Sequence, residues 1–386
     1  MTTSTLQRAV IRPAASVRAR SVLPGAGGKA RITGLDLARG LAVIGMIGAH
    51  LDLTENLSWS PSSWQAVVYG RSAALFGVLA GVSIGLLSGG TSPPAGDDLV
   101  RARVRIMARA AWVFVIGGLL DMVGAPVDVI LGVYGVLFVL AVPFLRWSSR
   151  RLLLLAAGLA VVAPPASLLL SQVTLVIGTD DAFAWLVLLG AHPALWWSVF
   201  MLVGLAIGRL DLSSRPTRAV LLRAGGAAAV AGYGLGWLST RLLANGNVFP
   251  EPVDVYERMP GWDEKSVGQW DWAWLSGAQP HSGTPFWLLA SAGVAAAVIA
   301  VCLAVADTAP AMSFPIAAVG AMALTVYSLH VVVLRFLPDD GSVGGVMVWI
   351  LFSVGAVAFA VSWRLLVGRG PLERLLTWSA NRSSGL

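Results

Sequence analysis

Residues 31–53 read RITGLDLARGLAVIGMIGAHLDL. From Leu35 to Leu53 the stretch is apolar over the roughly 20 residues that a bilayer crossing requires. It nevertheless carries Asp36, Arg39 and His50. Ionisable groups inside a span are costly, so they mark either function or a specific pairing. Arg39 and His50 are 11 residues apart. At roughly 100° per residue that is about three turns, which puts both on one helix face, about 16 Å apart along the axis. Arg39 then lies at one mouth of the membrane and His50 in the opposite half. Asp36, three residues before Arg39, can pair with it. The pair reads either as a site element or as a helix-end ion pair from which the arginine snorkels to the interface. His50 reads either as a proton-transfer group or as a hydrogen-bonded histidine within a bundle.

The rest of the 386-residue chain has the same character. It is 56% hydrophobic and only 12% charged, with a mean hydropathy of +0.76. A soluble globular protein carries about 25% charged residues. This balance excludes a cytosolic enzyme, a secreted disulfide scaffold and a disordered chain. Unpaired backbone is not tolerated in hydrocarbon, so an all-α polytopic membrane protein is expected. Ten spans are expected, near 35–53, 64–88, 109–122, 127–145, 152–171, 193–208, 219–241, 285–306, 313–334 and 344–367, with 182–191 as a candidate eleventh. Cys302 stands alone in an apolar run, so no intrachain disulfide and no cysteine-based metal site is expected.

Charge sorting sets the expected orientation. With the N-terminus inside, 21 of the 27 Lys and Arg residues fall on the cytoplasmic side. They cluster in residues 1–34, 101–109, 146–151, 209–223 and from Arg364 onward, whereas 14 of the 20 acids fall outside. Both termini are therefore expected in the cytoplasm. Residues 1–34 hold six basic residues and no acid, and lack the apolar stretch of a signal peptide, so a disordered basic tail is expected. The membrane domain should run over 35–367 and a cytoplasmic segment over 368–386. Within the domain, residues 242–284 form an extracytoplasmic loop rich in tryptophan (Trp262, Trp270, Trp272, Trp274). That loop reads as an interfacial cap or as an acceptor site for a sugar.

Further candidates lie on later segments. Arg71 and Ser72 open a glycine-spaced stretch in which Gly77, Gly81 and Gly85 recur every four residues, a pattern for close helix packing. Arg71 can hold an anion or anchor a neighbouring helix. His281, Ser282 and Thr284 form a polar turn before the eighth span, and Tyr327 precedes His330 by three residues on the ninth. These residues are the candidate substrate- or oxyanion-binding groups, and His50, His281 and His330 can converge on one outer vestibule. His192, before Pro193, reads as an ordinary loop residue. No histidine pair has metal-ligand spacing, so no metal is expected. No phosphate-binding loop, dinucleotide fingerprint or serine-nucleophile elbow is present in the sequence.

Arg31 to Met46, R-x-x-x-LD-x-x-RGLA-x-x-x-M, followed by RSAALFGVLAGVS, resembles the heparan-α-glucosaminide N-acetyltransferase-like membrane family. The Arg39–His50 spacing is similar to the first-helix signature of the membrane acyltransferase family three. PHSGTPFWLLASAG, VGAMALTVYSLH and GRGPLERLLTW resemble the YeiB-like bacterial membrane proteins. Together the resemblances cover about 31–380. They imply a bacterial cytoplasmic-membrane acyltransferase that takes an acyl group, acetyl above all, from cytoplasmic acyl-CoA. The acceptor implied is a hydroxyl or amine of an extracytoplasmic glycan, glycolipid or envelope lipid. Carried over by position, His50 is the implied base, with Arg39 near the donor, and His50, Arg39 and Asp36 are the candidate catalytic residues. The heparan enzymes carry a catalytic histidine just before a tryptophan in the loop after the first span. Here that region reads WSPSSW, Trp59 to Trp64, without histidine, so direct transfer is expected. Expected partners are membrane lipid, the acyl donor and the acceptor, with no nucleic acid and with a homodimer left open. A transporter or flippase using the same intramembrane charges is the rival reading.

Overall fold

The computed structural model describes residues 32–51, 60–177, 186–187, 192–243, 272–338, 344–383 and 385. Among them run twelve α-helices and no strand. They are α1 (Thr33–Ala49), α2 (Arg71–Leu87), α3 (Gly96–Val123), α4 (Leu131–Ala141), α5 (Ser149–Ile177) and α6 (Ala194–Gly208). These are followed by α7 (Arg215–Leu243), α8 (Pro285–Thr308), α9 (Pro310–Ala321), α10 (Ala323–Leu334), α11 (Gly345–Leu366) and α12 (Pro371–Ser383). The candidate eleventh span at 182–191 lies outside the described residues apart from 186–187, and most of the Trp-rich loop, 244–271, lies outside them too.

Every one of the ten expected segments coincides with helix, but they are not ten full crossings. Six segments have the length and composition to cross a membrane, or seven if α9 and α10 count as one bent span. The helices α1, α4 and α6 have 17, 11 and 15 residues, or roughly 26, 17 and 23 Å at 1.5 Å per residue, short of the ~30 Å hydrocarbon core. The short helices are central. Leu131, Tyr134 and Leu137 of α4, Trp197 and Phe200 of α6, and most of α1 are buried. The long ones are peripheral: α11 buries only Ala360. Leu351, Val354, Leu119, Val161 and Val230 lie exposed on α11, α3, α5 and α7. That is the reverse of a soluble protein and fits an apolar solvent around the rim.

Three expected boundaries are corrected. The basic cluster at 101–109 is not a loop: α3 begins at Gly96, with Asp97 and Asp98 in its first turn, where carboxylates favour the helix dipole. It ends on the left-handed Gly124 (φ 70°). The second span opens with a 3-10 turn over Pro61–Val68 and restarts at Arg71. Gly70, at φ 68°, makes the joint, and a side chain there would run into Pro280 and the His281 ring. Arg71 is thus the first residue of α2, at the joint inside the span that runs from Ser63 to Leu87. The ninth span is bent by 69° at Met322.

That break is held from outside the bundle. Glu373 of α12 accepts from the backbone N–H groups of Leu324 (2.8 Å) and Thr325 (3.1 Å), and from the Thr325 hydroxyl (2.6 Å). A helix beginning inside the protein leaves its first N–H groups without intrahelical partners, and a carboxylate there satisfies both the hydrogen bonds and the dipole.

Glycines set the close contacts. Gly81 and Gly85 of α2 face Gly204 and Gly208 of α6 so closely that a Cβ at Gly81 would stand 2.1 Å from the Met201 carbonyl oxygen. The four-residue spacing is therefore the α2–α6 seam. Helix α1 is gripped the same way. Gly34 abuts the α8 backbone, Gly40 and Gly320 join it to α9, and Gly45 meets the Ser72 hydroxyl of α2.

Candidate functional site

Helix α1 carries a polar group at each end. At its N-terminal end the Arg39 Nη1 donates to Asp36 Oδ1 at 2.6 Å, and Nη2 donates to Ser83 Oγ of α2 at 3.1 Å. Asp36 is buried and Arg39 is half-buried. The arginine is therefore held by a carboxylate from its own helix and a hydroxyl from the next. Three more cations converge on this end. Arg39, Arg105 and Arg369 all act electrostatically on Arg109. Arg105 and Arg109 share one face of α3, four residues apart, and the Nε atoms of both are sealed from solvent without a hydrogen-bond partner. Arg369 is fixed where its carbonyl accepts from Trp363 Nε1 at 3.0 Å. Like charges thus crowd beside the Asp36–Arg39 ion pair, and their summed field would attract an anion.

The opposite end holds the histidines. His50 continues α1 by one residue, its N–H donating to the Met46 carbonyl. Its Nδ1 lies 3.0 Å from His330 Nε2, with the rings nearly parallel at 18°. Tyr327 packs edge-on against both rings, at 4.9 Å from His330 and 6.5 Å from His50. The bend at Met322 is what brings His330 to α1, because it turns α10 out of the line of α9.

A second pair lies beside the first. His192 and His281 meet edge-on at 5.5 Å, walled by Trp197, Trp287 and Tyr69. His192 is thus no ordinary loop residue; Trp197, in the first turn of α6, draws it inward. His281 occupies the left-handed region at φ 60°, a conformation that costs a non-glycine residue about 1 kcal/mol or more and persists only where the surroundings impose it. Its Nδ1 is sealed without a partner, as are the indole N–H groups of Trp197 and Trp287. Both imidazoles sit in loops ahead of their helices. Burial pushes His281 down to about 4. Burial, then His281 and His50, holds His192 well below the ordinary histidine range. His50 is therefore within electrostatic reach of the second pair, so the four histidines of the chain stand as two neighbouring contact pairs.

The sign of the His281 shift predicts a pH dependence. The folded state binds fewer protons than the unfolded state between about pH 4 and 6.5. Stability is then complete above 6.5 and falls on acidification by about 1.4 kcal/mol per pH unit. Unfolding midpoints measured at pH 7 and pH 5 should show this loss, and His281→Asn, which tolerates the left-handed backbone, should remove much of it. An unchanged slope in the variant sinks the assignment.

The remaining candidates have visible partners. Arg71 Nε donates to Tyr233 Oη of α7 at 2.6 Å, and Nη1 reaches the Ala66 carbonyl at 3.3 Å. This geometry is that of an interhelical anchor. Ser72 fills the α1–α2 contact. Thr284 caps α8: its Oγ1 accepts from the Trp287 N–H at 3.1 Å and donates to the Gly277 carbonyl at 2.8 Å. Ser282 leans on it at 3.3 Å. Both hydroxyls are engaged in shaping the turn that presents His281. Arg209 opens the basic cluster at 209–223 but is no solvated surface charge. It is buried and donates to the carbonyls of Gly85, Ser88, Gly90 and Leu145, tying three helix ends together. Among the described residues no group of three or more His, Cys, Asp or Glu is placed to hold a metal ion.

The family model described as heparan-alpha-glucosaminide N-acetyltransferase, catalytic, matches residues 31–234, just over half of the 386 residues. The chain belongs to this family. No curated protein matches it. The heparan-α-glucosaminide N-acetyltransferase catalytic family is an acetyltransferase family, and this member is a multi-pass, membrane-bound acyltransferase. The matched part of this acyltransferase holds Asp36, Arg39, His50, Arg71, the α3 arginines and His192. His281, Tyr327, His330 and Glu373 lie beyond it. The region where the heparan enzymes carry their loop histidine, Trp59 to Trp64, contains none in this chain, and residues 52–59 lie outside the described residues.

Proposed function

We propose that the protein transfers an acetyl or other short acyl group from acyl-CoA to a hydroxyl or amine presented from the opposite membrane face. The observation that carries this reading is the single helix α1 with a cation cluster at one end and the His50–His330 contact at the other. A thioester donor needs anion recognition far from its acyl carbon, and acyl transfer needs a base close to it. Family membership favours chemistry over transport for these charges.

In this reading Arg39, Arg105, Arg109 and Arg369 hold the donor's phosphates, with Asp36 orienting Arg39. His50 takes the proton from the acceptor as its oxygen or nitrogen attacks the thioester carbonyl carbon. The new C–O or C–N bond forms, the oxyanion collapses, the C–S bond breaks and His50 returns the proton to the departing thiolate sulfur. The reaction thus balances without any further reactant. The outer aromatic and histidine cluster would receive the acceptor, an envelope glycan, glycolipid or lipid.

The ten helical segments are proposed to be embedded with both termini on the cytoplasmic side of a bacterial cytoplasmic membrane. The sorted charges and the helix ends agree with this. The thin ends of α1, α4 and α6 would lie in funnels reaching into the bilayer, which shortens the distance between donor and acceptor.

The experiment is label transfer from radiolabelled acetyl-CoA to extracted envelope lipids or amino sugars by protein in nanodiscs. Arg109→Gln should raise the donor KM about tenfold with kcat little changed, since it removes one phosphate contact of ~1.4 kcal/mol. No labelled product with any acceptor, and no acetyl-CoA hydrolysis, would refute the reading.

A further inference from the structure

We propose that His330 is a positioning residue that sets the tautomer of His50, so that His50 Nε2 is the proton-accepting atom. The inference rests on the reading of His50 as the acyl-transfer base and adds a residue outside the family-matched range to that site.

The argument runs from the sealed end of the pair. His330 is buried, and its Nδ1 is closed off from solvent. In a helix the carbonyls three and four residues earlier point up the axis toward a side chain, so those of Tyr327 and Val326 are the acceptors nearest the sealed end of the His330 ring, and both act on it. A lone pair directed at two carbonyl lone pairs would be repelled, so Nδ1 carries the proton. The other nitrogen of neutral His330, Nε2, is then an acceptor. Its partner at 3.0 Å is His50 Nδ1. Two acceptors cannot share that distance favourably, so His50 Nδ1 donates. The lone pair of His50 is thereby left on Nε2, on a ring that is only partly buried. Protons are conserved throughout: each ring holds one, and both hold it on Nδ1.

The pair is held by packing rather than by chance. Tyr327 stands edge-on to both rings and restricts their rotation. The register of α10 is pinned at its start, where Glu373 takes the Leu324 and Thr325 N–H groups. His330 is the seventh residue after Ala323, two turns from that pin. The arrangement follows the logic of a base whose second nitrogen is engaged by an orienting group, here a neutral imidazole in place of a carboxylate.

The test has two arms on the full chain in nanodiscs. In the first, 15N-histidine NMR, with the four histidines assigned by single substitution, reads the tautomers directly and does not depend on activity. Both His50 and His330 are expected protonated on Nδ1. Protonation of either on Nε2 in the neutral form overturns the proposal. In the second arm, His330→Ala is expected to lower kcat by about 10²-fold with donor KM unchanged. His330→Gln, whose Oε1 can stand where Nε2 accepts, is expected to recover at least tenfold of that loss. Wild-type kcat in His330→Ala, or a glutamine variant as slow as the alanine one, overturns it. If the wild type shows the expected tautomers but no acyl transfer, the function reading has failed and the positioning geometry has not.

Discussion

His50→Asn is expected to lower the rate of acyl transfer by about 10²–10⁴-fold and to leave donor KM within a factor of two or so. Asparagine is chosen because its amide N–H can occupy the place of His50 Nδ1 and still donate to His330 Nε2, the contact seen at 3.0 Å. It has no basic lone pair at the Nε2 position. The fold and the partner hydrogen bond survive, and only the proton acceptor is lost. The donor's phosphates would be held at the far end of α1, around Arg39 and Arg109, so ground-state binding of the donor does not pass through His50. The assay is steady-state transfer from labelled acetyl-CoA, with thermal unfolding as the control for folding. A His50→Asn protein that keeps wild-type kcat removes His50 from the chemistry. A variant with raised donor KM and unchanged kcat would instead make it a binding group.

The second large effect is structural. Gly320→Ala is expected to destabilise the protein by about 3 kcal/mol and to lower activity with it. A Cβ at Gly320 would stand 1.8 Å from the Asp36 carbonyl oxygen and 2.5 Å from the Gly40 nitrogen. Both obstacles are backbone of the buried helix α1, so neither can swing aside as a flexible side chain would. Relief requires α9 to move away from α1, and Asp36 and Arg39 sit in the displaced turn. The matched control is Gly355→Ala on α11, where nothing lies within 4 Å of a new Cβ. That change should be neutral or stabilising by up to about 1 kcal/mol, since alanine favours helix over glycine. Denaturant midpoints of the two variants in the same detergent give the comparison. Equal stability would mean that α1 and α9 are less tightly joined than their backbones indicate.

Much of the site was legible on α1, because there the chemistry follows local geometry. The Asp36–Arg39 pair is a one-turn contact, and the long spacing to His50 places the histidine at the other end of the helix whatever surrounds it. The Gly77, Gly81 and Gly85 spacing likewise announced a close seam, though not that α6 would fill it. His330 was a candidate from its position, but its role was not, since a ring's tautomer depends on atoms 280 residues away in the chain. His192 and Glu373 were missed for a related reason. One precedes a proline and the other follows one, and such positions look like ordinary loop punctuation until the helices they touch are known. Thr284 shows a further local role that the sequence allowed, since its side chain caps α8.

Composition alone determines that this chain is a helical membrane protein, because solvent and bilayer act on every residue independently of the fold. Residue order also determines which few charges remain within the apolar stretches. The tertiary structure decides which of those charges meet. It shortens the central helices, bends the ninth segment at Met322 and caps the break with Glu373. It also gathers four histidines from segments far apart in sequence. Those outcomes depend on backbone approach at a few glycines and on hydrogen bonds across helices, and neither has a period that a sequence can display.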